Sequence, residues 1–115
     1  YCNKENGGLT YYRGSQKLGL LNHVDSRAPG SSQKVEDKYL NQLGDAAAVT
    51  PSVEPGDVLV HNSLMIHGSS ANKSMKSRRG FTMQFKDANS GYDKEMVKHY
   101  ESRLMEQVQT RQEGS

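Results

Sequence analysis

This sequence has no tryptophan, one isoleucine and two phenylalanines, so bulky core formers are scarce. Leu, Ile, Val and Phe together make up 20 of its 115 residues, below the ~20% share at which a chain struggles to bury a core of its own. The other half of the disorder signature is missing too, because the formal charge is only +2. Lys and Arg are scattered rather than massed, so no nucleic-acid or membrane surface is expected. No apolar run approaches the ~18 residues of a membrane span. Cys2 is the single cysteine, which excludes a disulfide within the chain and suits a reducing compartment, so the cytoplasm is the expected location. The chain starts at Tyr1-Cys2-Asn3-Lys4, with no secretory leader and no initiator Met. Its length suits one small domain. The thin core and the missing Met together raise the expectation that it is a piece of a longer protein.

What is present reads as short strands between turns. Asn6-Gly7-Gly8 is a turn signal, and Leu9-Thr10-Tyr11-Tyr12-Arg13 has the β-branched and aromatic character of a strand. Gly14 to Gly19 breaks that strand with two glycines, and Leu20 to Asp25 follows as a short loop or strand. Ser26 to Gln33 is a loop by composition. Val35, Tyr39, Leu40 and Leu43 fall at helical spacing and predict one or two helical turns. Ala46 to Val53 predicts a strand that Pro51 confines to a sheet edge, and Pro55-Gly56 predicts a turn.

The strongest core strands are expected at Val58-Leu59-Val60 and Leu64-Met65-Ile66. From Gly80 to Phe85, Phe81, Met83 and Phe85 alternate with Thr82 and Gln84, the period of a half-buried strand. Val97, Tyr100, Leu104 and Val108 predict an amphipathic helix between Asp93 and Gln112, capped by Ser90 or Asp93 and packed on the outside of a sheet. Such a pattern points to an antiparallel β-sandwich or barrel with too few strands to close an eight-stranded jelly roll. Residues 1–88 are read as the β domain and 89–115 as the helix and tail.

Four histidines carry most of the possible chemistry. His99 falls on the polar side of the tail helix, and His61 suits a hydrogen-bonded structural role. His67 ends an apolar run and is followed by Gly68-Ser69-Ser70, which leaves room for an exogenous ligand at a neutral imidazole. A lone histidine is also often structural. Arg78 and Arg79 lie eleven and twelve residues further on. Strands about 4.8 Å apart in a hairpin would bring one guanidinium near His67, although two surface arginines would give the same spacing.

Taken in order, Asn6-Gly7-Gly8-Leu9, Gly14-Ser15-Gln16-Lys17-Leu18-Gly19-Leu20-Leu21-Asn22-His23, Pro55-Gly56-Asp57, His67-Gly68-Ser69 and Arg78 resemble the phytanoyl-CoA dioxygenase family. These are Fe(II)- and 2-oxoglutarate-dependent oxygenases built on a double-stranded β-helix, a cupin-like jelly roll. The resemblance implies that His67 is the distal ligand of a two-His-one-carboxylate iron site. It implies that Arg78 pairs with the distal carboxylate of 2-oxoglutarate and that Ser69 adds a hydroxyl contact, with Arg79 second to Arg78. Arg13 and Gln16 stand where the family usually has Pro and His.

The family's proximal His-x-Asp pair would fall upstream of Tyr1. The tripeptide His23-Val24-Asp25 occupies the place of the family's loop histidine and not the metal strand, which reads as a decoy; the alternative is that His23 and Asp25 are a metal pair. The expectation is therefore the C-terminal part of a mainly β, double-stranded β-helix dioxygenase that acts on a small molecule, with a C-terminal α-helix. The isolated chain would be inactive, supplying one of three ligands, and its open sheet edges would favour self-association. The alternatives are a non-catalytic cupin-like binding or assembly module and, within the family, a halogenase.

Overall fold

The computed structural model describes residues 1–26 and 33–113, so the loop expected at 26–33 lies outside the described residues at 27–32. The described chain divides into two compact units. One comprises residues 1–24 and 33–80, the other residues 25–26 and 81–113.

The first unit is organised around strand β1 (Leu9–Tyr12), whose two aromatic residues and one β-branched residue favour extended backbone. It is the middle strand of a three-stranded antiparallel sheet, flanked by β4 (Ala48–Val49) and β5 (His67–Ser69). In the β1–β5 ladder, Leu9 faces Ser69, Thr10 faces Gly68 and Tyr11 faces His67. The β4 side has Tyr11 opposite Val49 and Tyr12 opposite Ala48. Pro51 cannot donate to a ladder, and β4 is indeed a two-residue edge strand. Beyond the proline, pairing resumes only as an isolated Cys2–Val53 bridge, with N–H···O distances of 2.8 and 2.9 Å.

Beyond β1 the chain turns at Gly14, with φ 84°, into a 3-10 helix, Ser15–Leu18. A second, two-stranded sheet pairs β2 (His23–Asp25) with β3 (Gln33–Val35). The helical turns expected near Val35–Leu43 are α1 (Asp37–Leu43), closed by the Gly44 N–H donating to Leu40 O at 3.0 Å. The turn expected at Pro55-Gly56 forms with Gly56 at φ 102° and the Asp57 N–H on Glu54 O at 3.1 Å. Among the described residues Ile66 is the one buried large apolar side chain; the buried polar residues are Asn6 and Ser15 in this unit and Ser26 in the other.

Three strand expectations are corrected. Val58-Leu59-Val60 is not a strand, and Val58 and Val60 are 79% and 91% exposed. Leu64-Met65 forms a turn and bend, and the strand begins only at His67. Gly80 to Phe85 is irregular, with Phe81 and Phe85 both 87% exposed. The physical reason is common to all three: an alternating or apolar run becomes a strand only when a neighbouring strand takes up its N–H and C=O groups. Among the described residues none does so for Val58–Val60 or Gly80–Phe85, and in Leu64–Ile66 only the Ile66 carbonyl is taken up, by the Tyr12 N–H at 3.0 Å. The two sheets are accordingly short and open, and the expected double-stranded β-helix, or jelly roll, is not closed.

The second unit is built on α2 (Lys94–Glu113). Asp93 caps it, as expected, with Oδ1 accepting the Glu95 and Met96 N–H groups at 3.1 Å each. Along it Val97, Tyr100 and Val108 are each about two-fifths exposed, and Leu104 is less exposed than they are. Among the described residues no helix is long and apolar enough to cross a membrane.

Candidate functional site

β5 brings His67 and Ser69 to the edge of the three-stranded sheet, where they line an open cavity of about 570 Å³ in the first unit. Thr10 and Tyr12 of β1 and His23 of β2 line the same cavity, with Leu64 to Ile66 beside them. Two of the sequence-designated residues, His67 and Ser69, thus lie together, and His23 joins them. Arg78 and Arg79 sit in exposed, irregular backbone and do not line this cavity. Asp25 is outside it too, and its carboxylate is taken by Arg103, with Nη2 at 2.6 Å and Nε at 3.1 Å from Oδ1. That contact, chiefly its hydrogen bond, holds the Asp25 carboxyl below its ordinary range. His23 and Asp25 are therefore directed to different partners.

His67 is oriented by its own backbone. Nδ1 lies 2.9 Å from the carbonyl oxygen of Met65. A carbonyl oxygen only accepts, so Nδ1 carries the proton and the lone pair of the neutral ring is left at Nε2. His23 repeats the device, with Nδ1 2.9 Å from Leu21 O. In both histidines the proton is thus on Nδ1 and the free lone pair of the neutral ring is on Nε2.

Around His67 the side chains form a ring cluster that sequence reasoning did not assemble. His61 stacks at a tilt with its centroid 4.6 Å from that of His67, and Tyr11 lies 6.0 Å from His67 on the facing strand. The Tyr11 hydroxyl meets His61 Nδ1 at 3.2 Å, so His61 has the hydrogen-bonded structural role expected for it. Burial, and then the proximity of His67, push the His61 pKa below its ordinary value. Burial pushes the Tyr11 pKa up. The signal for Tyr11 was its place in a strand register with His67, which no local spacing reveals.

As a site for a metal the donor set is one-sided. Among the described residues no group of three or more His, Cys, Asp or Glu side chains could hold an ion. His67, like His23, has the chemistry of a single ligand, with its Nδ1 proton on a carbonyl and its lone pair at Nε2. The residues fit one corner of an iron site, and no reaction step is drawn through the metal.

Comparison with protein families finds one described as phytanoyl-CoA dioxygenase (PhyH), whose model matches residues 1–80. No curated protein matches the chain, and no solved structure does.

Proposed function

This chain belongs to the phytanoyl-CoA dioxygenase family, and on that premise we propose that it forms part of an Fe(II)- and 2-oxoglutarate-dependent oxygenase acting on a small-molecule substrate. The observation that carries the reading is the extent of the match. It runs through residue 80 and so takes in His67, Ser69 and Arg78 together. When bound, iron and 2-oxoglutarate would supply oxidative decarboxylation coupled to substrate oxidation, the chemistry of a facial triad with open coordination positions.

The chain's own residues have separable tasks in this reading. His67 offers Nε2 to the metal, its ring held by the Met65 carbonyl. Arg78 carries a planar fork of N–H donors suited to the distal carboxylate of 2-oxoglutarate, and a bidentate pair gives direction as well as charge. Ser69 adds a hydroxyl on the same strand as His67. Since His67 is one ligand of three, the chain by itself binds iron weakly and does not turn over. Hydroxylation and halogenation differ in the carboxylate ligand, which the family places ahead of the Asn6-Gly7 turn.

The test is calorimetric binding of 2-oxoglutarate, with a redox-inert divalent ion present, to the longest polypeptide carrying this chain. Arg78→Ala should weaken it by at least about tenfold, since charge-assisted pairs are the stronger class of hydrogen bond. Unchanged binding in that variant would sink the assignment. Succinate formation from 2-oxoglutarate by the 115-residue chain alone would overturn the one-ligand reading and bring back His23 and Asp25.

A second reading, a non-catalytic cupin-like binding or assembly module, draws on the ring cluster. A structural histidine would also pack within 4.6 Å of His61 and face Tyr11. It requires ligand binding that does not depend on Arg78.

A further inference from the structure

The peptide unit between Met65 and Ile66 is gripped at both polar ends. Its N–H, on Ile66, donates to Ser15 Oγ at 2.8 Å. Its C=O, on Met65, accepts from His67 Nδ1 at 2.9 Å. Ser15 is wholly buried, at 0% exposure, and its hydroxyl proton is directed to Met65 Sδ at 3.3 Å. The following carbonyl is fixed as well, because Ile66 O accepts the Tyr12 N–H at 3.0 Å. A peptide unit is planar, so whatever sets the direction of its N–H sets that of its C=O.

We infer that Ser15 is a positioning residue for His67: by clamping the Met65–Ile66 peptide it aims the carbonyl that holds the His67 ring with its proton on Nδ1 and Nε2 outward. The role of Nε2 as a metal ligand rests on the function proposed above, whereas the clamp itself does not. Ser15 does not line the cavity, and it lies 51 positions before Ile66 in the chain. The hydroxyl is suited to the task because it accepts and donates at once. Alanine at this position leaves a buried N–H without its partner and frees the peptide to tilt.

The decisive measurement is the His67 tautomer, read from imidazole 15N resonances of the metal-free chain under alkaline conditions where the ring is neutral. In the wild-type chain His67 should be held with its proton on Nδ1. Ser15→Ala should shift it towards a mixture of tautomers. Ile66→Val, which trims the one buried large apolar side chain and leaves all these polar contacts, should not. A His67 tautomer unchanged in Ser15→Ala overturns the inference. Should Ser15→Ala fail to fold, hydrogen exchange at the Ile66 amide of the wild-type chain decides it. Protection of that amide supports the clamp, and exchange at the rate of an unprotected amide overturns it.

A Co(II) titration separates this inference from the functional reading. Binding that His67→Gln abolishes and Ser15→Ala weakens by about tenfold, the scale of outer-shell effects, supports both. Co(II) binding indifferent to His67→Gln counts against the metal reading alone, and the tautomer result then decides for Ser15.

Discussion

Tyr11 stands directly opposite His67 in the β1–β5 ladder, and its hydroxyl reaches across to His61 Nδ1 at 3.2 Å. One side chain of the central strand thus touches both imidazoles. Tyr11→Phe keeps the ring contact and removes only the hydroxyl. The expected loss of stability in urea melts is roughly 1 kcal/mol or less, the net worth of a neutral hydrogen bond near the surface. The more telling readout is the His61 Nδ1 resonance, which should move while the sheet's amide shifts stay put. A static His61 resonance would mean that the bond is not made in solution.

Gly7 and Gly14 both have positive φ, at 77° and 84°, but their surroundings differ. A Cβ on Gly7 would come within 2.6 Å of the Ser70 carbonyl oxygen, just past β5, whereas one on Gly14 would meet nothing within 4 Å. Gly14→Ala should therefore cost only the left-handed backbone penalty, about 1–2 kcal/mol. Gly7→Ala should cost clearly more and disturb the β1–β5 pairing that positions His67. Equal denaturation midpoints for the two variants would refute the steric part of this account.

These residues also show what could be read from the chain beforehand. Leu9–Tyr12, Pro51 and Asp93 were legible because each acts within a few residues: a strand former, a missing donor, a cap. His67 was legible because glycine and serines follow it. Val58–Val60 and Gly80–Phe85 misled because a strand is a property of a pair, and periodicity describes one member of it. Ser15 and Tyr11 were invisible as site residues, since their contacts to Ile66 and His61 span 51 and 50 positions. The family match covers both His67 and Arg78, whereas the cavity that His67 lines does not include Arg78.

The Asp25–Arg103 pair gives the second unit a pH dependence of known sign. Its hydrogen bond to Arg103 lowers the Asp25 pKa in the folded chain below the ordinary 3.8. Folding stability from the pair is then fully present above 3.8, where the carboxylate is charged in both states. It falls as the pH drops below that value, because the unfolded chain takes up the proton first. Arg103→Gln should remove this increment, so the variant is less stable than wild type at neutral pH by the small amount expected of a solvated ion pair, and the two converge as the pH falls below the Asp25 pKa. Helicity of α2 followed by circular dichroism across that range is the measurement. Identical acid profiles for variant and wild type would show that the pair contributes nothing.

β5 lies at an edge of its sheet, and Val58 and Val60 are 79% and 91% exposed in the same unit. An open ladder edge offers unpaired N–H and C=O groups to any second strand, and charged side chains are the usual means of blunting it. Apolar side chains do the reverse, because association takes them out of water at roughly 25 cal/mol per Å². We propose that the isolated chain self-associates through these two features, the open edge of β5 and the exposed Val58 and Val60. Sedimentation velocity should then show a boundary that moves to larger species as concentration rises. The double variant Val58→Lys/Val60→Lys should return it to the monomer, since two like charges per chain would meet across the contact. A concentration-independent monomer for the unsubstituted chain would rule the association out. A persistent oligomer in the double variant would move it to another surface.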